Sequence, residues 1–175
     1  MKLKRLTALA LYTTLFLAVY AAESAIPPLV PIPGIKLGLA NVITLILLRH
    51  FSLRETALVL TARILLSALL FGQVLSLAYS LSGGFLSLLA MFLTHRLLRG
   101  KTAFLTGAVG GLTHNLGQLL TAFLLTATPG VFSYLPFLTL SGILTGLFTG
   151  FAAALTDKYL LPHIMGDGFF SSSSS

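Results

Sequence analysis

Six apolar runs, separated by short basic, glycine-rich or proline-rich connections, take up nearly all of this 175-residue chain. A helix needs about 20 apolar residues to cross ~30 Å of hydrocarbon, so runs of this kind restrict the fold more than any motif does. They cover about residues 6–25, 36–49, 55–71, 77–97, 103–127 and 137–161, the second being short for a span. The breaker segment Pro27-Pro28-Leu29-Val30-Pro31-Ile32-Pro33-Gly34 closes the first run, and Thr128-Pro129-Gly130 with a short interfacial piece precedes the last. Composition excludes a soluble fold of this size. Apolar residues make up 56% of the chain and charged residues 9%, against roughly 25% charged in an average soluble domain. The reading is an all-α, polytopic membrane protein with six transmembrane helices. One transmembrane domain is expected over residues 1–165, followed by a disordered, low-complexity tail over residues 166–175.

The basic residues orient the chain. Lys2, Lys4 and Arg5 precede the first run, Arg49 and Arg54 follow the second, Arg96, Arg99 and Lys101 follow the fourth, and Lys158 ends the sixth. Nine of the eleven Lys and Arg residues thus fall on one side, Lys36 lies on the other, and Arg63 lies inside the third run. Basic residues favour the cytoplasmic side, which predicts both termini inside, in a multi-pass protein of a prokaryotic cytoplasmic membrane. The net charge of +7 is therefore a topology signal, not a nucleic-acid footprint. The run over residues 6–22 is long enough to span, and no small-residue cleavage site leads into a polar domain, so it reads as a helix rather than a signal peptide. The chain has no cysteine, which removes disulfides, thiolate metal sites and cysteine nucleophiles together.

Polar residues inside a span are costly and call for a partner or a purpose. Arg63 is the sharpest case, at about 2.5–3.5 kcal/mol on insertion scales. It can pair with Glu23 near the outer end of helix one, or it can hold an anionic ligand. These roles are compatible if the ligand displaces or bridges the pair. Lys36 is a second cation, either a snorkelling interfacial lysine or a local counter-charge for a carboxylate or phosphate. Gly38 and Ala40 allow a neighbouring backbone to come close, and Asn41 brings a further polar side chain into the bundle. Helix five carries His114, Asn115 and Gln118, three or four residues apart, as one polar stripe among the glycines at 107, 110, 111 and 117. Tyr79 and Ser82 lie toward the outer half of helix four, where they pack or line a pocket. Gly142, Gly146 and Gly150 have the small-xxx-small spacing that serves helix packing.

Missing motifs narrow the chemistry. No Walker loop is present, so the chain hydrolyses no ATP by itself. No aspartate-rich cluster is present for magnesium diphosphate, and Glu23 and Glu55 are expected at opposite faces of the membrane. No second histidine or carboxylate recurs at zinc-ligand spacing. No catalytic residue, resident cofactor or metal is assigned.

Several motifs in order point to a family: Pro33-Gly34-Ile35-Lys36-Leu37-Gly38-Leu39-Ala40-Asn41, then Arg63, Tyr79-Ser80-Leu81-Ser82-Gly83-Gly84, His114-Asn115-Leu116-Gly117-Gln118 and Leu140-Ser141-Gly142. Over about residues 5–160 the chain resembles the Gx transporter family, also called heptaprenyl diphosphate synthase component I. The resemblance implies a six-helix membrane fold similar to the S components of energy-coupling factor transporters. These bind vitamins or related molecules from outside and work with a transmembrane coupling protein and two ATPases. S components often dock through an Ala-x-x-x-Ala face near the cytoplasmic start of helix one. Here Ala18 and Ala22 have that spacing but lie toward the outer half, a departure from the pattern.

The function expected from these readings is that of a membrane substrate-binding or transport subunit. Its ligand would be a small, anionic, vitamin-like or isoprenoid-related molecule, held by Lys36, Asn41, Arg63, Tyr79, Ser82, His114, Asn115 and Gln118. Glu23, Gly38 and Gly142 would have structural or pairing roles. The family's other name implies the alternative, a non-catalytic membrane component of heptaprenyl diphosphate synthesis for menaquinone side chains, with a prenyl diphosphate synthase subunit as partner.

Overall fold

The computed structural model describes residues 3–26, 38–71 and 74–160. Among them the chain is helical throughout, with no strand. The helices are α1 (Leu3–Ser24), α2 (Asn41–His50), α3 (Leu53–Phe71), α4 (Val74–Leu97), α5 (Ala103–Thr126) and α6 (Leu135–Leu155). A tight turn over Pro129–Tyr134 leads into α6, where a short piece is expected from the sequence, and a wider turn over Thr156–Leu160 leaves it. Three stretches are long and apolar enough to cross a membrane: Arg5–Ser24, Leu75–Leu97 and Pro129–Tyr159. α3 and α5 have comparable length, but Arg63 interrupts the apolar character of one and His114, Asn115 and Gln118 that of the other.

The second run departs from expectation. Among its described residues it is helical only from Asn41, after a turn in which Gly38 adopts φ +82°, a left-handed conformation that glycine tolerates and other residues rarely do. Ten residues rise about 15 Å, half of what a crossing requires. α2 is also the most enclosed helix. Ile43, Leu45, Ile46, Leu47 and Leu48 are all buried, and α2 packs against each of the other five helices. A helix that is apolar all round must be surrounded by protein or lipid; here it is protein. The large apolar side chains left on the outside come from the other five helices and the turns, including Leu11, Leu58, Leu69, Leu89, Leu124 and Phe148.

Two interfaces of different kind hold the bundle. α1, α2, α3 and α4 pack through side chains, with Phe16, Leu45, Leu47, Leu60, Ile64 and Met91 fully buried in one cluster. α5 and α6 instead meet backbone to backbone. A Cβ on Gly150 would lie 2.5 Å from the Ala103 carbonyl oxygen, and one on Gly142 would lie 2.8 Å from that of Gly111. Gly107, Gly111 and Gly146 are as tightly opposed, so the small-residue spacing is an interface.

One end of the bundle is tied by charge. Arg5 donates to both oxygens of Glu55, at 2.6 and 2.8 Å. Glu55 also accepts from the Ser52 backbone and hydroxyl at 2.9 and 2.7 Å, capping the start of α3. Asp157 accepts from Arg49 and is paired with His50 at 2.7 Å, while Arg49 also reaches the Gly100 carbonyl at 3.3 Å. These contacts gather the start of α1, the α2–α3 and α4–α5 connections and the exit of α6, where the basic residues are concentrated.

Candidate functional site

The site is built around the start of α2. Gly38, in its left-handed turn, lies so close to α5 that a Cβ there would be 2.8 Å from His114 Cδ2 and 3.1 Å from Asn41 Nδ2. Any larger residue would push the turn off the histidine. On the other flank, a Cβ on Gly83 of α4 would be 3.0 Å from Gln118 Cγ and 3.1 Å from His114 Nδ1. Glycines from two elements therefore seat His114 and Gln118 between them. Gln118 Nε2 donates to His114 Nε2 at 3.0 Å, which leaves the ring proton on Nδ1.

Arg63 enters from α3. Its guanidinium carbon lies 4.7 Å from the centre of the Phe16 ring and 5.1 Å from that of Tyr20, so two aromatic faces of α1 hold the charge. Tyr20 is fixed in turn by a 2.8 Å hydrogen bond with Ser76 of α4. The direct Glu23–Arg63 pair weighed from the sequence does not form: the ion pairs among the described residues are Arg5–Glu55, Arg49–Asp157 and His50–Asp157. Glu23 is buried and turned to α2 instead, accepting from the backbone N–H of Gly38 and, at 3.4 Å, of Ala40. Arg63 is within electrostatic reach of both Glu23 and His114.

Two hydrogen-bond donors, Asn41 Nδ2 and Arg63 Nε, come to this region without an acceptor among the described residues, and His114 Nδ1 has only the Gly83 backbone beside it. Their side chains belong to residues only 2%, 3% and 5% exposed. Buried polar groups are nearly always satisfied, and two such donors on two helices, beside the histidine of a third, suit one acceptor-rich group. Thr44 Oγ1, Ser87 Oγ and Asn115 Oδ1 are further buried polar atoms without a partner among the described residues.

The other candidates separate from this group. Asn115, next to His114, faces the opposite way, donating to the Leu138 carbonyl at 2.8 Å and to Ser141 Oγ at 3.1 Å. It ties α5 to α6, beside Gly142, and so the single polar stripe expected on α5 divides in two. Tyr79 is packed with Leu119, Ala122, Val131 and Leu138 in a second apolar cluster. Ser82 bonds the carbonyls of Ala78 and Tyr79 and accepts from Thr121 at 2.5 Å, joining α4 to α5. Lys36 lies outside the described residues. Sequence reasoning missed Phe16 and Tyr20, although residues 16, 20 and 23 share one face of α1 and could have marked it. Among the described residues no three His, Asp or Glu side chains come together.

No curated protein and no solved structure matches this chain. One family does, described as heptaprenyl diphosphate synthase component I, over residues 12–156. That range takes in α2 to α6 and the part of α1 that carries Phe16, Tyr20 and Glu23. The chain belongs to the heptaprenyl diphosphate synthase component I family.

Proposed function

We propose that this is a six-span, multi-pass protein of a prokaryotic cytoplasmic membrane, with both termini inside, that binds a small anionic molecule entering from the outer face. The observation that carries the reading is the pair of buried, unmet donors Asn41 Nδ2 and Arg63 Nε, with His114 beside them, around the start of a half-length helix. A carboxylate or phosphate supplies the acceptors that these groups need. Polar groups fixed in a mostly apolar setting give a pocket orientation and specificity, and a cation at this depth is expensive unless it has such a purpose. Lys36, just before the described turn, adds a second cation in sequence. With no ATPase motif in the chain, uptake would draw on a separate energy-coupling membrane protein with its ATPases, as in the S components that the motifs resemble.

The test is native mass spectrometry of the purified protein and of Arg63→Gln. The expected result is a retained anionic molecule, vitamin-like or isoprenoid-related, that is lost from the variant. Equal retention by both proteins would end this assignment. Topology is checked with single cysteines in the cysteine-free chain: one at Ser133 should react with an impermeant maleimide in intact cells and one at Lys101 should not.

The family description favours a second reading, a non-catalytic membrane partner of a prenyl diphosphate synthase, since a component I implies a further component. Its test is chain elongation by a soluble synthase with and without this protein. Stimulation, with no small molecule retained, selects this reading over the first.

A further inference from the structure

We propose that the start of α2 is an anion subsite and that Glu23 is its resident, displaceable anion. The inference rests on reading Asn41, Arg63 and His114 as a pocket for an anionic molecule. It adds where the ligand's charge sits and what that charge must displace. α2 has ten residues, so a helix beginning at Asn41 and ending at the basic end of the bundle starts about halfway through the hydrocarbon. The first N–H groups of α2, on Asn41, Val42 and Ile43, close onto the carbonyls of Gly38, Leu39 and Ala40, so the backbone donors that an anion meets here are those of Gly38 and Ala40. Half-helix starts at this depth face anionic groups in membrane transporters. Ala40, at the N-cap, has no side-chain oxygen to offer. Glu23 supplies one from another helix, through Gly38 N–H and Ala40 N–H.

A second observation, independent of the helix start, points to a ligand. Asn41 Nδ2 lies in the first turn of α2, 3.1 Å from where a Gly38 Cβ would stand, beside the N–H groups that Glu23 engages. It has no acceptor among the described residues, and its side chain is 2% exposed. Arg63 Nε, near Glu23 but not paired with it, is in the same position. Glu23 therefore satisfies the backbone donors and leaves the side-chain donors unmet. A phosphate or carboxylate with more oxygens free to turn satisfies both sets. Its arrival exchanges one buried anion for another, so the buried charge is unchanged, and it frees the outer end of α1 from α2. Binding and opening of that end then become one event.

The experiment titrates the purified full chain in detergent with inorganic phosphate and follows the melting temperature of the native protein, E23Q, R63Q and E23Q/R63Q. Glutamine keeps the shape of Glu23 but removes the competing charge. Phosphate should therefore stabilise E23Q at a half-saturating concentration about tenfold or more below that of the native chain, and R63Q should erase that gain. A folded E23Q whose phosphate response equals the native one overturns the proposal. If that equal response is lost in R63Q, the pocket stands and only the displacement fails. Absence of any phosphate response overturns the displacement too, and retention of a co-purifying molecule by the native chain but not by R63Q then decides the pocket separately. Should E23Q fail to fold, nitroxides at Ile26→Cys and Thr126→Cys carry the test with Glu23 in place. Phosphate must then change their separation, and an unchanged separation across the titration overturns the proposal.

Discussion

The two sides of this bundle are held together by opposite means. Along α5 and α6 the helices touch through glycine backbones, and the one buried amide on that side, Asn115, donates across the seam to Leu138 and Ser141. Around α2 the contacts are bulky side chains, and Asn41 Nδ2 and Arg63 Nε are donors with no acceptor among the described residues. A backbone seam has no slack, because nothing in it can change rotamer. A side-chain interface can repack. The difference says which side can rearrange: the α1–α2–α3 side, with the α5–α6 pair as the fixed wall.

The largest effect that this contrast predicts is from filling the seam. Gly111→Val places branched carbons against the Gly142 carbonyl and the Gly146 backbone, and overpacking of this kind costs about 1–3 kcal/mol or more. The melting temperature should fall steeply, or folded protein should not be recovered. Gly84→Ala, whose Cβ would meet only the flexible ends of Leu60 and Ile64, at 3.3 Å or more, should change it little. Equal effects would mean that the seam is no more rigid than the rest.

Next comes the division of the α5 polar residues. His114→Ala should weaken retention of the bound molecule about tenfold, read by native mass spectrometry. Asn115→Ala should leave retention within about twofold and lower stability by about 1 kcal/mol as the α5–α6 hydrogen bonds are lost. The same loss of ligand from both would restore a single stripe. A more conservative change on the adaptable side, Ile43→Val, should cost about 0.5–1.5 kcal/mol at a residue 7% exposed. The smallest effect is expected from Arg5→Gln. Its pair with Glu55 lies at the bundle end, with side chains 34% and 13% exposed, so the loss should be about 0.2–1 kcal/mol in a melting curve and smaller still in high salt.

Six helices were legible in the sequence because apolar length and punctuation are local properties. The third run, over residues 55–71, differs from Leu53–Phe71 by two residues at one end, and the fifth ends where Ala127 turns left-handed at φ 50°. The glycine spacing was legible as packing for the same reason. What was not legible depends on which neighbour a side chain meets. His114 and Asn115 are adjacent, yet about 100° apart around a helix of 3.6 residues per turn, which is enough to send one to α2 and the other to α6. Arg63 was read as a partner of Glu23 near the outer end of helix one or as an anchor for an anion, whereas aromatic rings and a backbone cap divided the two charges between them. The shortness of α2 was visible only as a doubtful span, since apolar residues before Asn41 look the same in a helix or a turn.

That shortness bears on how the protein is made. Segments long enough to cross can settle in lipid one at a time and associate afterwards. A ten-residue helix has no such independent existence, because it is too short to cross and the Gly38 and Ala40 N–H groups before it, which Glu23 takes up, would otherwise face hydrocarbon. α2 can come to rest only when α1 brings Glu23 and the surrounding helices close over it. The binding groups at its start are then the last part of the protein to be completed during biogenesis. A chain stalled before α5 and α6 would carry Glu23, Asn41 and Arg63 but lack the wall against which they are set.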